Sequence, residues 1–182
     1  MKAKPLNRKL LAQLIVSKEV INTMRVLENI IYDELQENDY ATFTKTLSEE
    51  SLILFAASSE HITFSGLDIQ SIQKAVYRED IGYGMWASSL ISNAFSKVMP
   101  GPGSIYLEQN LKFSLPVKLG DTLTVKLIVK EKQANHRVIF ICEVDNQEGE
   151  SIVSGEAKII APSDKISLEQ ETLPLMNINT TK

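Results

Sequence analysis

The residues best suited to acid–base chemistry lie in one short stretch, residues 58–69, which reads SSEHITFSGLDI. This stretch contains His61, with Glu60 beside it and Asp68 further along the chain. An imidazole and a carboxylate held close together can activate water and exchange its proton near neutral pH. However, neither the spacing from Glu60 to His61 nor that from His61 to Asp68 matches an established catalytic pair. A partly buried, hydrogen-bonded His61 is therefore the simpler interpretation, and a general base is the alternative.

The second histidine, the single cysteine and the net charge limit which metals, compartments and partners are expected. His136 lies in a predicted hairpin turn and is expected to be solvated, and Cys142 lies in a predicted strand, so no metal-site spacing is present. A single cysteine excludes an intramolecular disulfide and fits a reducing compartment, and we expect a cytoplasmic protein. The net charge of −4 argues against nucleic-acid binding, and no apolar run is long enough to span a bilayer.

The elements that position this stretch can be predicted from hydrophobic periodicity. Residues 40–47 alternate as a strand, and Ser48 is predicted to cap the helix that follows. A second short helix is predicted for residues 68–77. Residues 84–98, GMWASSLISNAFSKV, are nearly all apolar or small and predict a central helix buried on most sides. The PGPG sequence at 100–103 ends this helix.

Beyond residue 104 the apolar period becomes two, which predicts strands. The first strand is predicted to place Ile105, Leu107, Leu111, Phe113 and Leu115 on one face, and Tyr106, Glu108, Asn110 and Lys112 on the other. After a turn at 119–121, strands are predicted for 122–129, 137–144 and 151–160. One early strand, then helices, then a four-stranded meander indicate an α+β domain with a curled antiparallel sheet around the central helix.

Residues 1–25 differ from the rest of the chain in charge, with a net of +5 against −9 for the remainder. Their apolar residues recur at helical spacing, so they predict a basic amphipathic helix. Packing of this extension on its own domain or on a partner subunit is the favoured interpretation, and contact with an anionic membrane surface is the alternative. Residues 26–166 are then the folded domain, and 167–182 a C-terminal tail.

Several segments resemble the MaoC-like hot-dog proteins, the group that contains the (R)-specific enoyl-CoA hydratases. The strongest is PGPGSIYLEQNLKFSLPVKLGDTL at 100–123, which matches the family's glycine-rich turn, strand and P-V-x-x-G-D turn. YDEL, TKTLSEESLILFAA, GMWASSLIS and GEAKIIAPSDKI extend the resemblance over about residues 26–166. The resemblance implies a hot-dog fold, with five antiparallel strands wrapped around the helix at 84–98, and a homodimer with an acyl tunnel near its interface.

The resemblance also implies a reaction, the addition of water to a trans-2-enoyl thioester or its reversal, with no cofactor. Gly84 matches the glycine of the family's H-G-M, whose N–H would polarise the thioester oxygen, and Tyr83 replaces the histidine of that motif. Close helix packing is a second reason for Gly84. Met85 and Trp86 are candidates to line the tunnel, although such residues are also common in plain cores.

The family's catalytic motif, D-x-N-P-x-H, is altered in this chain. In an ungapped frame His61 stands at the aspartate, Gly66 at the histidine, and Thr63 and Phe64 at the asparagine and proline. The sequence therefore predicts a protein that binds acyl-CoA or acyl-carrier-protein thioesters, through His61 and residues 83–86, without hydrating them. An active hydratase with a rearranged site and a structural or interaction subunit are the alternatives.

Overall fold

The computed structural model describes residues 26–59 and 83–169. Five strands form one antiparallel sheet in the order β2-β4-β5-β6-β3. The strands are β2 (Tyr40–Thr46), β3 (Ile105–Phe113), β4 (Thr122–Gln133), β5 (Arg137–Asp145) and β6 (Ser151–Ile160). Among the described residues two α-helices, α1 (Glu49–Ser58) and α2 (Gly84–Lys97), and a short 3-10 helix (Tyr32–Glu34) accompany the sheet, so the predicted α+β class is confirmed.

The central helix α2 packs against β2, β4 and β6, as the hot-dog arrangement requires. Its buried residues are Trp86, Ala87, Ser88, Leu90, Ile91, Ala94 and Phe95. Facing them, the predicted alternation on β4 is confirmed, because Leu123, Val125, Leu127 and Val129 are all buried. Val138, Phe140, Cys142 and Val144 of β5 complete the same layer. Apolar side chains every second residue along two adjacent strands thus make the floor on which the helix lies.

The strand β3 departs from the predicted pattern. Its register against β6 shifts between Tyr106 and Glu108, so Leu107 is an extra residue, a β-bulge. A bulge interrupts the strict alternation of side chains between the two faces. Tyr106 consequently turns toward the core, where its ring lies edge-on to Phe95 with centroids 5.3 Å apart, while Ile105 is exposed. The predicted faces of Ile105 and Tyr106 are therefore wrong.

The order of the strands also corrects the predicted four-stranded meander. Only β4, β5 and β6 follow one another as a meander, and β3 pairs with β6 at the far edge of the sheet. The connection from β3 to β4 therefore crosses from that edge to the other side of the meander. As a result β3 and β2 are the two edge strands, and each has one side without a strand partner among the described residues.

A second, small sheet joins the two ends of the described chain. β1 (Val26–Glu28) pairs antiparallel with β7 (Ser167–Glu169). Three residues beyond the predicted domain boundary at 166 thus form a strand with the first three residues that the structure describes. The sequence analysis did not predict either strand, because three-residue strands far apart in the chain have no detectable periodicity.

Asn29, directly after β1, connects three segments of the chain. Its side-chain Nδ2 donates to the carbonyl oxygens of Pro102 (3.2 Å) and Asp164 (2.8 Å), and its Oδ1 accepts from the N–H of Ile166 (3.0 Å). Asn29 is only 2% exposed, so its amide is fully enclosed and uses both its donors and its acceptor. The glycine-rich turn after α2 is thereby attached to the chain near β1 and β7.

Candidate functional site

The start of α2 supplies oriented N–H donors. The helix begins at Gly84, as predicted, and Tyr83 precedes it as the N-cap residue. The N–H groups at the very start of a helix, here those of Gly84 and Met85, have no acceptor within the helix and form its positive end, whereas the Trp86 N–H already donates to the Tyr83 carbonyl (3.0 Å). This first turn, GMWA, contains no acidic residue that would offset the partial charge. The arrangement can therefore stabilise an oxygen on which negative charge develops.

Phe113, the last residue of β3, lies directly against this helix start. A Cβ placed on Gly84 would be 2.7 Å from Cδ1 and 3.1 Å from Cε1 of the Phe113 ring. Real Cβ atoms do not approach a neighbour so closely, so any larger residue at position 84 would displace the ring. The close-packing reason for Gly84 is thus present in the structure, beside the role that its N–H can have.

The other predicted site residues around Gly84 have different environments. Met85 is 66% exposed, whereas Trp86 is buried in the core, so the two point in different directions. Tyr83 is half-buried and packs against the core, and burial raises the pKa of its phenol. Of the predicted set, the structure thus brings Tyr83, Gly84 and Met85 together at one end of the helix and assigns Trp86 to the core beneath them.

The P-V-x-x-G-D turn positions the first helix. Gly120, at a positive φ of 92°, donates its N–H to the Leu47 carbonyl oxygen (2.9 Å), and Leu47 donates to the carbonyl of Asp121 (2.9 Å). The Asp121 carboxylate closes the turn by accepting from the N–H of Lys118 (2.7 Å). Ser48 then caps α1 as predicted, accepting from the N–H of Ser51. The turn therefore fixes where α1 starts, and α1 leads the chain toward residue 60.

The predicted residues of the altered motif, His61, Thr63, Phe64 and Gly66, lie outside the described residues, as does the predicted helix at 68–77. The second histidine, His136, is exposed in the hairpin between β4 and β5, and its ring lies edge-on to Tyr32 at 5.0 Å between centroids. Cys142 is fully buried, and burial raises the pKa of its thiol to about 12.

The part of the chain that the structure describes contains neither a metal-binding cluster nor a membrane-spanning helix. No group of three or more His, Cys, Asp or Glu side chains there has an arrangement that could bind a metal ion. None of the helices within 26–59 and 83–169 is long and apolar enough to cross a bilayer.

Comparison with known proteins decides the family. The (R)-specific enoyl-CoA hydratase of Rhodospirillum rubrum is 30% identical over 132 residues, which are 72% of this chain and 92% of that protein. This chain belongs to the MaoC-like hot-dog family. The R-hydratase PhaJ1 of Pseudomonas aeruginosa, in its unliganded form, superposes with a TM-score of 0.76 at 42% identity, covering 85% of this chain and 100% of that one. No model of a protein family matches the chain.

A second solved structure agrees with the first. The (R)-hydratase from Aeromonas caviae involved in PHA biosynthesis has a TM-score of 0.61 at 31% identity, and covers 70% of this chain and 98% of that one. The hot-dog fold predicted from the sequence is therefore confirmed for this MaoC-like chain.

Phe113 is the residue at this MaoC-like site that the sequence analysis did not identify. It was assigned only to one face of its strand, together with Leu111, and its register partner on β6 is the buried Val153. Its position against Gly84 joins two segments that are almost thirty residues apart. The sequence feature that could have pointed to this contact is that both stretches, GMWASSLIS and LKFSLPV, match the same family.

Proposed function

We propose that this protein binds acyl thioesters and lacks the hydratase dyad of its family. The names of its relatives support the ligand class. One, from Methylorubrum extorquens, is a 3-hydroxybutyryl-CoA dehydratase (27% identical), and another, from Arabidopsis thaliana, is a mitochondrial 3-hydroxyacyl-[acyl-carrier-protein] dehydratase (28% identical). Because CoA and the carrier protein both occur among these names, the thioester rather than the carrier is the shared ligand chemistry.

The observation that carries the proposal is the contrast between the two halves of the site. The start of α2 at Gly84 retains N–H donors for a thioester oxygen, with an apolar helix behind it. Positions 61 and 66, in contrast, hold histidine and glycine where the family has aspartate and histidine. A carboxylate and an imidazole that position a water contribute large rate factors, and glycine supplies no group at all. Binding is therefore expected to be retained and hydration to be lost.

The direct test is hydration of crotonyl-CoA by the wild type, followed by the loss of enoyl-thioester absorbance. We expect no measurable turnover, together with saturable binding detected through the fluorescence of Trp86, the one tryptophan of the chain. Turnover on the order of 1–10³ per second, the usual range for enzymes, would show that the protein is an active hydratase.

Restoring the dyad provides the positive control. The double variant His61→Asp with Gly66→His is expected to gain hydratase activity over the wild type, and each single variant is expected to gain none. Thr63 and Phe64 occupy the turn positions between them, and a misplacement of about 1 Å costs on the order of 10²-fold in rate. Adding Thr63→Asn and Phe64→Pro should therefore raise the rate further.

The second candidate function is hydration by a rearranged site. It is favoured by His61 itself, an imidazole at the position of the missing carboxylate, with Glu60 and Asp68 nearby in the sequence. Wild-type turnover that disappears in His61→Ala would establish it. A protein that binds no thioester but forms a stable complex with a different subunit would instead be a structural member of the family.

We also propose that the protein is a cytoplasmic homodimer, joined at the β3 edge. Ile105 and Leu107 on this edge strand are large apolar residues with more than a third of their surface exposed, and Leu115, equally exposed, follows the strand. On the opposite edge, β2 carries Lys45, a charged residue of the kind that discourages strand pairing. An unpaired edge with apolar side chains suits the same strand of a second copy, related by a two-fold axis.

A further inference from the structure

The contact between Phe113 and Gly84 limits the space at the proposed thioester site. Its consequence for acyl specificity, inferred below, rests on the thioester binding proposed above. The Phe113 ring edge is 2.7 Å from the place that a Cβ of Gly84 would occupy. By standard backbone geometry the ring edge is then within about 5 Å of the Gly84 nitrogen. An oxygen bound to that N–H, at about 2.9 Å, would place its carbon and the next atoms beside the ring.

The ring is also available to a ligand. Phe113 is 48% exposed, although its strand neighbour Val153 is fully buried. One part of the ring therefore packs on the helix start while the other part remains open. An apolar ring with an open face is suited to the acyl side of a thioester and not to its polar carrier arm.

We infer that Phe113 is a specificity-determining residue, whose ring occupies the space that a substituent on C2 of the acyl group would need. The carbonyl oxygen of the thioester lies on the first-turn N–H groups of α2, and C2 is bonded to the carbonyl carbon. A straight 2-enoyl chain leaves the ring in place. A methyl branch on C2 has to displace it, and the ring cannot move toward the helix because it already contacts Gly84 there.

The expected difference in binding is the one that a single methyl group causes in an apolar site. A single methylene changes binding or specificity by roughly 10–200-fold when the surrounding side chains cannot adjust. The wild type should therefore bind crotonyl-CoA at least about tenfold more tightly than tiglyl-CoA, its 2-methyl analogue. Both ligands have the same CoA, so the carrier contribution cancels in the ratio of their dissociation constants.

The test measures that ratio in the full-length wild type and in two variants, through Trp86 fluorescence and by calorimetry. Phe113→Ala removes the ring, and Phe113→Leu keeps an apolar side chain in case the alanine variant does not fold. We expect both to bring the ratio to within about threefold of unity. Circular dichroism checks that each variant retains the sheet.

Tyr40→Leu is the matched control. Tyr40 is an exposed aromatic residue, at 56%, on the opposite edge strand β2, and its replacement should leave the ratio at the wild-type value. If the wild type binds crotonyl-CoA but the folded Phe113 variants keep the wild-type ratio, the assignment of Phe113 is wrong. The same holds if Tyr40→Leu changes the ratio equally. A wild type that binds neither thioester overturns the proposed function, and this inference with it.

Discussion

Tyr106 shows at the level of a single residue how the bulge in β3 affects stability. The bulge turns its ring into the core, where its hydroxyl is enclosed and has no hydrogen-bond partner within residues 26–59 and 83–169. Burial and the nearby Cys142 thiol raise the pKa of the phenol, so it remains neutral. A buried hydroxyl without a partner costs about 1–3 kcal/mol of stability, because it has lost its water and gained nothing in exchange.

Tyr106→Phe removes only this hydroxyl, so we expect the variant to be at least as stable as the wild type. A gain of about 1 kcal/mol would raise the midpoint of thermal unfolding by about 2–4 °C in a chain of this size. Tyr32→Phe is the matched control, because the Tyr32 hydroxyl donates to the Gln133 carbonyl at 2.8 Å. That variant should lose stability instead. A clear loss of stability in Tyr106→Phe would contradict this account.

At the level of elements, the regular parts of the fold could be predicted from the sequence and the irregular parts could not. The alternation on β4, the cap at Ser48 and the helix start at Gly84 are local patterns, and each is confirmed. The bulge at Leu107 has no such pattern, because Ile105, Leu107, Leu111 and Phe113 all keep the same two-residue phase across it in the sequence. The contact of Phe113 with Gly84 depends on how distant elements pack, which periodicity does not report.

For residues 61–66 the sequence predicts the side chains of the site but not their placement. The identities of His61 and Gly66 follow from an ungapped frame within a family motif, so the sequence predicts which groups are present. Whether His61 reaches a partner depends on the conformation of residues 61–66, which periodicity and motif spacing do not report. The chemistry of this part of the site therefore stays a prediction, and the dyad variants are its test.

Asn29 is the polar centre of the junction between β1, β7 and the turn after α2. Asn29→Ala would leave two carbonyl oxygens and one N–H without their partners, and we expect it to lower the free energy of unfolding by about 2–4 kcal/mol. Urea unfolding measures the loss. Asn110→Ala, an exposed asparagine on β3, should change stability by no more than about 0.5 kcal/mol. Equal effects of the two substitutions would show that the junction contributes nothing particular.

At the scale of the whole molecule, the difference between the two sheet edges predicts the state of assembly. We expect analytical ultracentrifugation at micromolar concentration to find a species of about twice the 20.3 kDa chain mass. Leu107→Lys adds a charge on the β3 edge and should shift this species toward the monomer, because the charge would be buried at the interface. Thr42→Lys, the same kind of change on β2, should leave the dimer intact. A wild type that sediments only as a monomer would exclude the β3 interface.

The single cysteine makes the opening of this sheet visible to a chemical reagent. Cys142 lies in the middle strand of the five, fully buried, and only the thiolate form of a cysteine reacts quickly with thiol reagents. In the folded state the enclosure of the thiol and its raised pKa both oppose modification. The rate of labelling in native buffer therefore reports how often the strands around β5 separate. Labelling of Cys142 thus measures the rate of rare opening events, whereas calorimetry reports only equilibrium populations.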